Sequence, residues 1–250
     1  MSQAYVKQTI ENNIGYITFF TPEHNAMPST ILKQLEQTII NAGQNNDIKV
    51  IVLKSGGERT FCAGASFTEL VAINTLEDGK LFFSGFANVI NAMRNCPKLI
   101  IGRVQGKAVG GGVGLASATD YCLATKYAAI KLSEISIGIG PFVIEPAVSR
   151  KIGQTAFAEM TINAEAFYDA NYAKAKGLYA VVFETVEALD IAVQTLALKL
   201  ASYNPEALLE LKKVLWQGTS HWDTLLIERA QISGALVLSN FTKQKLDSYS

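Results

Sequence analysis

Three consecutive glycines, Gly110-Gly111-Gly112, separate an apolar run from a segment of small helix-forming residues. Ile100-Ile101-Gly102-Arg103-Val104 suits a buried strand, and Leu115-Ala116-Ser117-Ala118 suits the opening of a buried helix. The junction therefore reads as a strand-to-helix turn with bare main chain, which another group can approach closely. The first N–H groups of a helix have no partner within it and carry the positive end of its dipole, so an oxyanion placed there is stabilised. Phosphate binding and simple close packing suit the same turn. It is not a P-loop, because no Gly-Lys-Ser/Thr closes it, and Gly106 followed by Ala108 does not fit the dinucleotide pattern.

The rest of the composition narrows the class. With 250 residues, 49% apolar and 18% charged, the chain can bury a large core, as one domain or a domain with an appendage. Lys+Arg and Asp+Glu total 22 each, so no net charge draws it towards nucleic acid or an anionic membrane. Cys62, Cys96 and Cys122 are odd in number and widely spaced, which points to buried thiols rather than a disulfide framework or a metal site. His24 and His221 lack a partner motif and read as structural or surface residues. With neither a signal-like start nor a long apolar run, the expectation is a cytoplasmic protein that does not enter the membrane.

In chain order, strands are expected at Tyr5 to Glu11, Ile14 to Phe20, Val50 to Leu53, Lys98 to Val104 and Asp120 to Ala124. Helices are expected from Thr30 to Ala42 with Ser29 as cap, near Thr68 to Ile73, from Gly79 to Cys96, and from the glycine turn to Thr119. A further short helix is expected from Ala147 to Lys151. Beyond Thr155 the pattern becomes almost wholly helical, including Ala164 to Lys176, Val186 to Ser202, Pro205 to Trp216 and Leu225 to Ser239. The prediction is a layered α/β core over 1–190 and a helical oligomerisation or lid region over 191–250. Trp216 and Trp222 read as packing residues of that tail or of a subunit contact.

His24-Asn25-Ala26-Met27, Phe61-Cys62-Ala63-Gly64-Ala65, the run from Gly106 to Gly112 with Leu115-Ala116, Asp120, and Ser133-Glu134 with Ile137-Gly138 together resemble the crotonase (enoyl-CoA hydratase/isomerase) superfamily over nearly the whole chain. The resemblance implies a spiral of ββα units, assembled as a homotrimer or a dimer of trimers. It implies that the Ala65 and Gly111 amides form an oxyanion hole for an acyl-CoA thioester, with coenzyme A part of the substrate and no separate cofactor or metal. Ala26, Ala63, Gly64 and Gly110 would line the substrate site, together with Phe142 of an apolar loop. Removing a proton beside a thioester, or attacking its conjugated alkene, puts charge on the carbonyl oxygen, and each donor to that oxygen is typically worth ~10²–10³ in rate.

The departures bear on the reaction. Hydratases of the family carry two glutamates; the second corresponds to Glu134, but the position of the first is Gly114. Asp120 lies about 240° around and about 9 Å further along a helix from Gly114, and reads as a cap or strand-start residue. Glu145 is a possible second acid, although the start of a helix favours any glutamate. Glu69 reads as a surface residue. The Asp and Lys often found at the positions of Ser66 and near Thr68 are missing, so phosphate contacts would have to come from elsewhere; Lys243 and Lys245 near Phe241 are candidates, although they read more readily as a solvated helix end. One base suffices to move a double bond between C3 and C2, whereas hydration divides its proton transfers between two groups. The expectation is isomerisation of an enoyl-CoA; hydration, including of methylglutaconyl-CoA, decarboxylation of a CoA ester and non-catalytic acyl-CoA binding are the alternatives.

Overall fold

The computed structural model describes residues 3–248. The chain opens with a hairpin of β1 (Tyr5–Glu11) and β2 (Ile14–Phe20), closed by Asn12 and Asn13 at φ 51 and 62. A two-residue turn with positive φ matches the twist of an antiparallel pair, and asparagine tolerates that backbone better than most residues. Helix α1 (Ser29–Gln44) follows, burying Ile31, Leu32, Leu35 and Ile39. Its start is not capped by its own residues. The Ser29 amide and hydroxyl both donate to the Glu69 carboxylate, at 2.9 and 2.6 Å. Glu69 is therefore not a free surface residue: it supplies the negative charge that the first turn of α1 lacks.

Three ββα turns then make the spiral. In the first, β3 (Val50–Ser55) and β4 (Thr60–Cys62) lead to α2 (Phe67–Val71) and α3 (Leu76–Asn95). In the second, β5 (Ile100–Val104) and β6 (Lys107–Val109) lead to α4 (Gly111–Ser117). In the third, β7 (Tyr121–Thr125) and β8 (Ile130–Lys131) lead through a 3₁₀ turn at Glu134–Ile137 to α5 (Glu145–Ile162). The first strand of each turn enters a six-stranded sheet of order β1-β2-β3-β5-β7-β9, parallel except for β1. The second enters a separate three-stranded parallel sheet, β4-β6-β8.

The apolar runs of the large sheet are buried on both faces, as parallel strands require. Val50, Val52, Ile101 and Leu123 pack beneath α7 (Val186–Ala201), while Ile51, Leu53, Ile100 and Cys122 face the main core. The helix expected from Ala164 is shorter, α6 (Ala170–Ala175), and leads into β9 (Val181–Phe183), an edge strand with no distinct signature in the sequence. The composition boundary at residue 190 falls inside α7. The remaining helices, α8 (Pro205–Leu215), α9 (Trp222–Leu236) and α10 (Asn240–Asp247), lie against the spiral. Gly79 of α3 and Gly234 of α9 meet so closely that a Cβ on Gly79 would stand 2.8 Å from the Gly234 Cα.

Asp120 ties α8 to the spiral. Its carboxylate accepts from the Ile100 amide at 2.7 Å, the Lys212 ammonium at 2.8 and 3.0 Å, and the Trp216 indole at 2.6 Å. Lys212 also donates to the Met93 carbonyl of α3 at 2.9 Å. Both side chains of the ion pair are buried, at 4% and 3% exposure, so each charge depends on the other. Trp216 and Trp222 meet edge to face at 5.8 Å within the main core, as expected for residues that pack the tail. Replacing Lys212 by Met strands a buried carboxylate and is expected to cost ~3–5 kcal/mol in urea denaturation. Lys213→Met, which breaks an exposed pair with Glu210, should cost at most about 1 kcal/mol.

Candidate active site

The strands of the small sheet are parallel and end together, so the three loops that follow them meet at one edge. After β4 come Ala63, Gly64 and Ala65; after β6 come Gly110 and Gly111; after β8 come Ser133 and Glu134. All seven line one cavity of about 620 Å³.

The first loop is held from behind. Met27 forms a parallel bridge with Ala65, donating to the Gly64 carbonyl at 2.8 Å and accepting from the Ser66 amide at 3.1 Å. A parallel bridge of this kind uses the groups flanking Ala65, so the Ala65 amide points away from Met27. The Met27 segment is in turn fixed by Asn25, whose side chain binds the Thr21 amide and the Gly56 and Thr60 carbonyls at 2.8–2.9 Å. Ser66, at the position where aspartate is often found in the family, caps α2 by accepting from the Glu69 amide at 3.3 Å.

In the second loop each glycine makes room for a different neighbour. Gly110 has φ +51, and a Cβ there would lie 2.7 Å from Glu134 Oε1. At Gly111 a Cβ would enter the Phe86 ring at 2.4 Å, and at Gly112 it would meet the Cys62 carbonyl at 2.3 Å. Gly64, at φ +96, brings the first loop against the second: a Cβ built on it would sit 3.7 Å from the Gly111 nitrogen. Gly111 opens α4, and its amide is among those without a partner inside the helix. Two glycine-containing loops thus meet at one cavity, with Ala65 and Gly111 in its lining.

Glu134 lies across Gly110 from that helix start. Although the residue is half-buried, its Oε2 is shut off from water and has no hydrogen-bond partner in the protein. Burial pushes its carboxyl up from 4.5 to about 7, against the smaller opposing pull of the Glu134 and Ser133 amides. Near neutrality such a group both accepts and releases a proton. The two other ionisable groups lining the cavity are Glu23 and Lys131.

The position of the missing glutamate is filled. A Cβ on Gly114 would lie 2.4 Å from Ile144 Cγ2 and 2.8 Å from its Cβ, so the loop before α5 has put an isoleucine where a carboxylate would reach. Pro141, Val143 and Ile144 form this apolar wall. Phe142, expected in the wall, is not part of it; its ring lies over Gly140 instead. Glu145 does not line the cavity either. Its carboxylate faces the exposed Gln154 amide at 3.4 Å, at the start of α5. Lys243 and Lys245 are also outside the cavity lining, and His24 and His221 are exposed. Sequence reasoning missed Ile144 as the residue filling the Gly114 position and Ser233 of α9 as a lining residue. Cys62, Cys96 and Cys122 are buried free thiols, and among the described residues no group of His, Cys, Asp and Glu is arranged to hold a metal.

A family model described as enoyl-CoA hydratase/isomerase matches residues 9–245. The chain belongs to the enoyl-CoA hydratase/isomerase family. The bacillaene synthase dehydratase PksH of Bacillus subtilis is 30% identical over 161 residues, 63% of this chain and 61% of that protein, so less than two thirds of its length is matched. The short-chain-enoyl-CoA hydratase of Clostridium acetobutylicum is 28% identical over 210 residues, covering 83% of this chain and 79% of that one. The peroxisomal Delta(3,5)-Delta(2,4)-dienoyl-CoA isomerase of Arabidopsis thaliana is 26% identical over 226 residues, covering 84% and 80%. In fold, the enoyl-CoA hydratase of Bacillus halodurans superposes with a TM-score of 0.90 at 20% identity, covering 98% and 99% of the two chains. Both hydratases and isomerases are therefore relatives of this family member.

Two measurements test the site's physics without a substrate. Because the folded state holds the Glu134 proton more tightly than the unfolded state, this residue favours folding least at high pH: stability falls as pH rises from 4.5 through about 7. Glu134→Gln should therefore leave stability nearly unchanged at pH ~4 and raise it by about 3 kcal/mol at pH ~9. Gly114→Ala should destabilise by ~1–3 kcal/mol in urea denaturation, through overpacking against Ile144.

Proposed function

We propose that the protein moves a double bond in an enoyl thioester, with Glu134 as its single proton carrier. The Ala65 and Gly111 amides would bind the thioester oxygen. Glu134 would take a proton from C2 of a 3-enoyl substrate, generating a dienolate whose charge rests on that oxygen, and return a proton to C4 to give the 2-enoyl product. No atom is gained or lost, so no second acid or activated water is needed.

The observation that carries this reading is the filling of the Gly114 position by Ile144. Hydration needs one group to activate water and one to protonate the α-carbon, and the natural place for the second is occupied by a hydrocarbon side chain. Glu145, the second acid that the sequence suggested, is engaged outside the cavity. A carboxyl poised near neutrality suits a group that must first accept and then donate. A relative named as a dienoyl-CoA isomerase supports the reading at the level of the family.

The test is turnover of matched 3-enoyl-CoA and 2-enoyl-CoA esters, with products resolved by mass and proton exchange followed in heavy water. The expected outcome is conversion of the 3-enoyl ester without uptake of water, and a loss of ~10²–10⁴ in rate for Glu134→Gln. In the wild type, kcat/KM should rise with pH to a plateau with a midpoint near 7, since the base is active when deprotonated. Equal rates for wild type and Glu134→Gln, or a hydrated product as the main one, would overturn the assignment.

A further inference from the structure

Among the described residues Lys131 is the one cation in the cavity lining. In the small sheet Val109 stands opposite Lys131, and Ala108 opposite Ile130. Side chains alternate along a strand, so Ala108 and Ile130 turn into the core while Lys107, Val109 and Lys131 leave the other face. Val109 and Lys131 both line the cavity, which makes that face continuous with it. Lys107 and Lys131 each stand three residues before the site, at Gly110 and Glu134, or ~10 Å along an extended chain.

Phe167 joins the two lysines. Tyr168 exchanges main-chain hydrogen bonds with Ile130 at 2.8 and 2.9 Å in an antiparallel bridge, which sets Phe167 beside Lys131 at the edge of β8. The Phe167 ring is 48% exposed, and the Lys107 and Lys131 ammoniums stand 4.8 and 5.2 Å from its centroid. Among the described residues neither ammonium has an ion-pair partner, Glu23 of the lining included, whereas Lys126, Lys212 and Lys213 each have one at 2.6–2.8 Å. An exposed ring holds an ammonium weakly, and two like charges beside one ring repel. An anion with several oxygens between them accepts from both and removes the repulsion, and lysine is a common partner of phosphate. Elsewhere in the lining Leu70, Phe82 and Ile139 are buried hydrocarbon. The cavity thus offers apolar surface to one part of a ligand and a pair of cations, at a solvent-exposed rim, to another.

Resting on the thioester reading above, we infer that Lys107 and Lys131 bind the phosphate adjoining pantetheine in the substrate's carrier arm. A free nucleotide ester and an arm attached to a carrier protein both present that phosphate. Neither lysine takes part in proton transfer.

The experiment measures binding of the saturated hexanoyl esters of pantetheine, phosphopantetheine and coenzyme A by calorimetry, which needs no turnover. Wild type is compared with Lys107→Met/Lys131→Met and with Lys199→Met/Lys213→Met, which removes two exposed lysines outside the lining. Wild type should bind the phosphopantetheine ester about tenfold more tightly than the pantetheine ester, and high salt should narrow that gap. Lys107→Met/Lys131→Met should lose the gap with binding of the pantetheine ester unchanged, and Lys199→Met/Lys213→Met should keep it. Given that result, a still tighter coenzyme A ester supports the inference with the free nucleotide ester as the preferred source. Equal binding of the two phosphorylated esters supports it with the arm alone sufficient. No gap, a gap confined to the coenzyme A ester, or a gap that survives in Lys107→Met/Lys131→Met overturns the inference and leaves the thioester reading intact. Failure of wild type to bind any of the three esters overturns both.

Discussion

Gly110, Gly111 and Gly112 each yield the volume of a side chain to a different partner: a carboxylate, an aromatic ring and a backbone carbonyl. That close approach is the constraint on which the site depends. It lets the ends of β4, β6 and β8 converge until main-chain donors and the Glu134 carboxylate share one cavity. At Gly112 the neighbour is the Cys62 carbonyl, backbone that cannot turn aside as a side-chain tip can. The large sheet, with apolar residues on both faces, provides the rigid frame against which such tolerances can be held.

Two buried carboxylates divide the work of this fold in opposite ways. Asp120 is surrounded by donors from a strand, a lysine and an indole, and its charge fastens α8 to the spiral. Glu134 has an oxygen with no donor at all, and the imbalance lifts its carboxyl towards neutrality. A satisfied carboxylate makes a good anchor and a poor base; an unsatisfied one is costly to the fold and useful in a reaction.

Much of the fold was legible in the sequence because long periodic segments announce themselves. Val50 to Leu53 read as a doubly buried strand, Ile31 to Ile39 as a helical stripe, and Asp120 as a structural residue. The small sheet was not legible: β4 and β6 span three residues each and β8 two, too few for any period, so their pairing emerges only when the spiral closes. β9 is hidden for the same reason. Of the site, the glycine turn, Ala65 and Glu134 stood out by their motifs. The Ile144 insertion did not, because nothing local to Gly114 records which distant loop fills the space. Ser233 was hidden in a helix whose apolar and polar residues are mixed around its circumference.

The far wall of the cavity is built partly from residues close to the carboxy terminus. Ser233 lines it directly, and Val237 and Leu246 form a cluster with Leu70, Phe82 and Ile139. During synthesis on the ribosome, the sheets and the glycine loops can therefore exist before the cavity is enclosed. A product cut short by some twenty residues would lose Ser233, Val237 and Leu246 and leave the cavity without that wall.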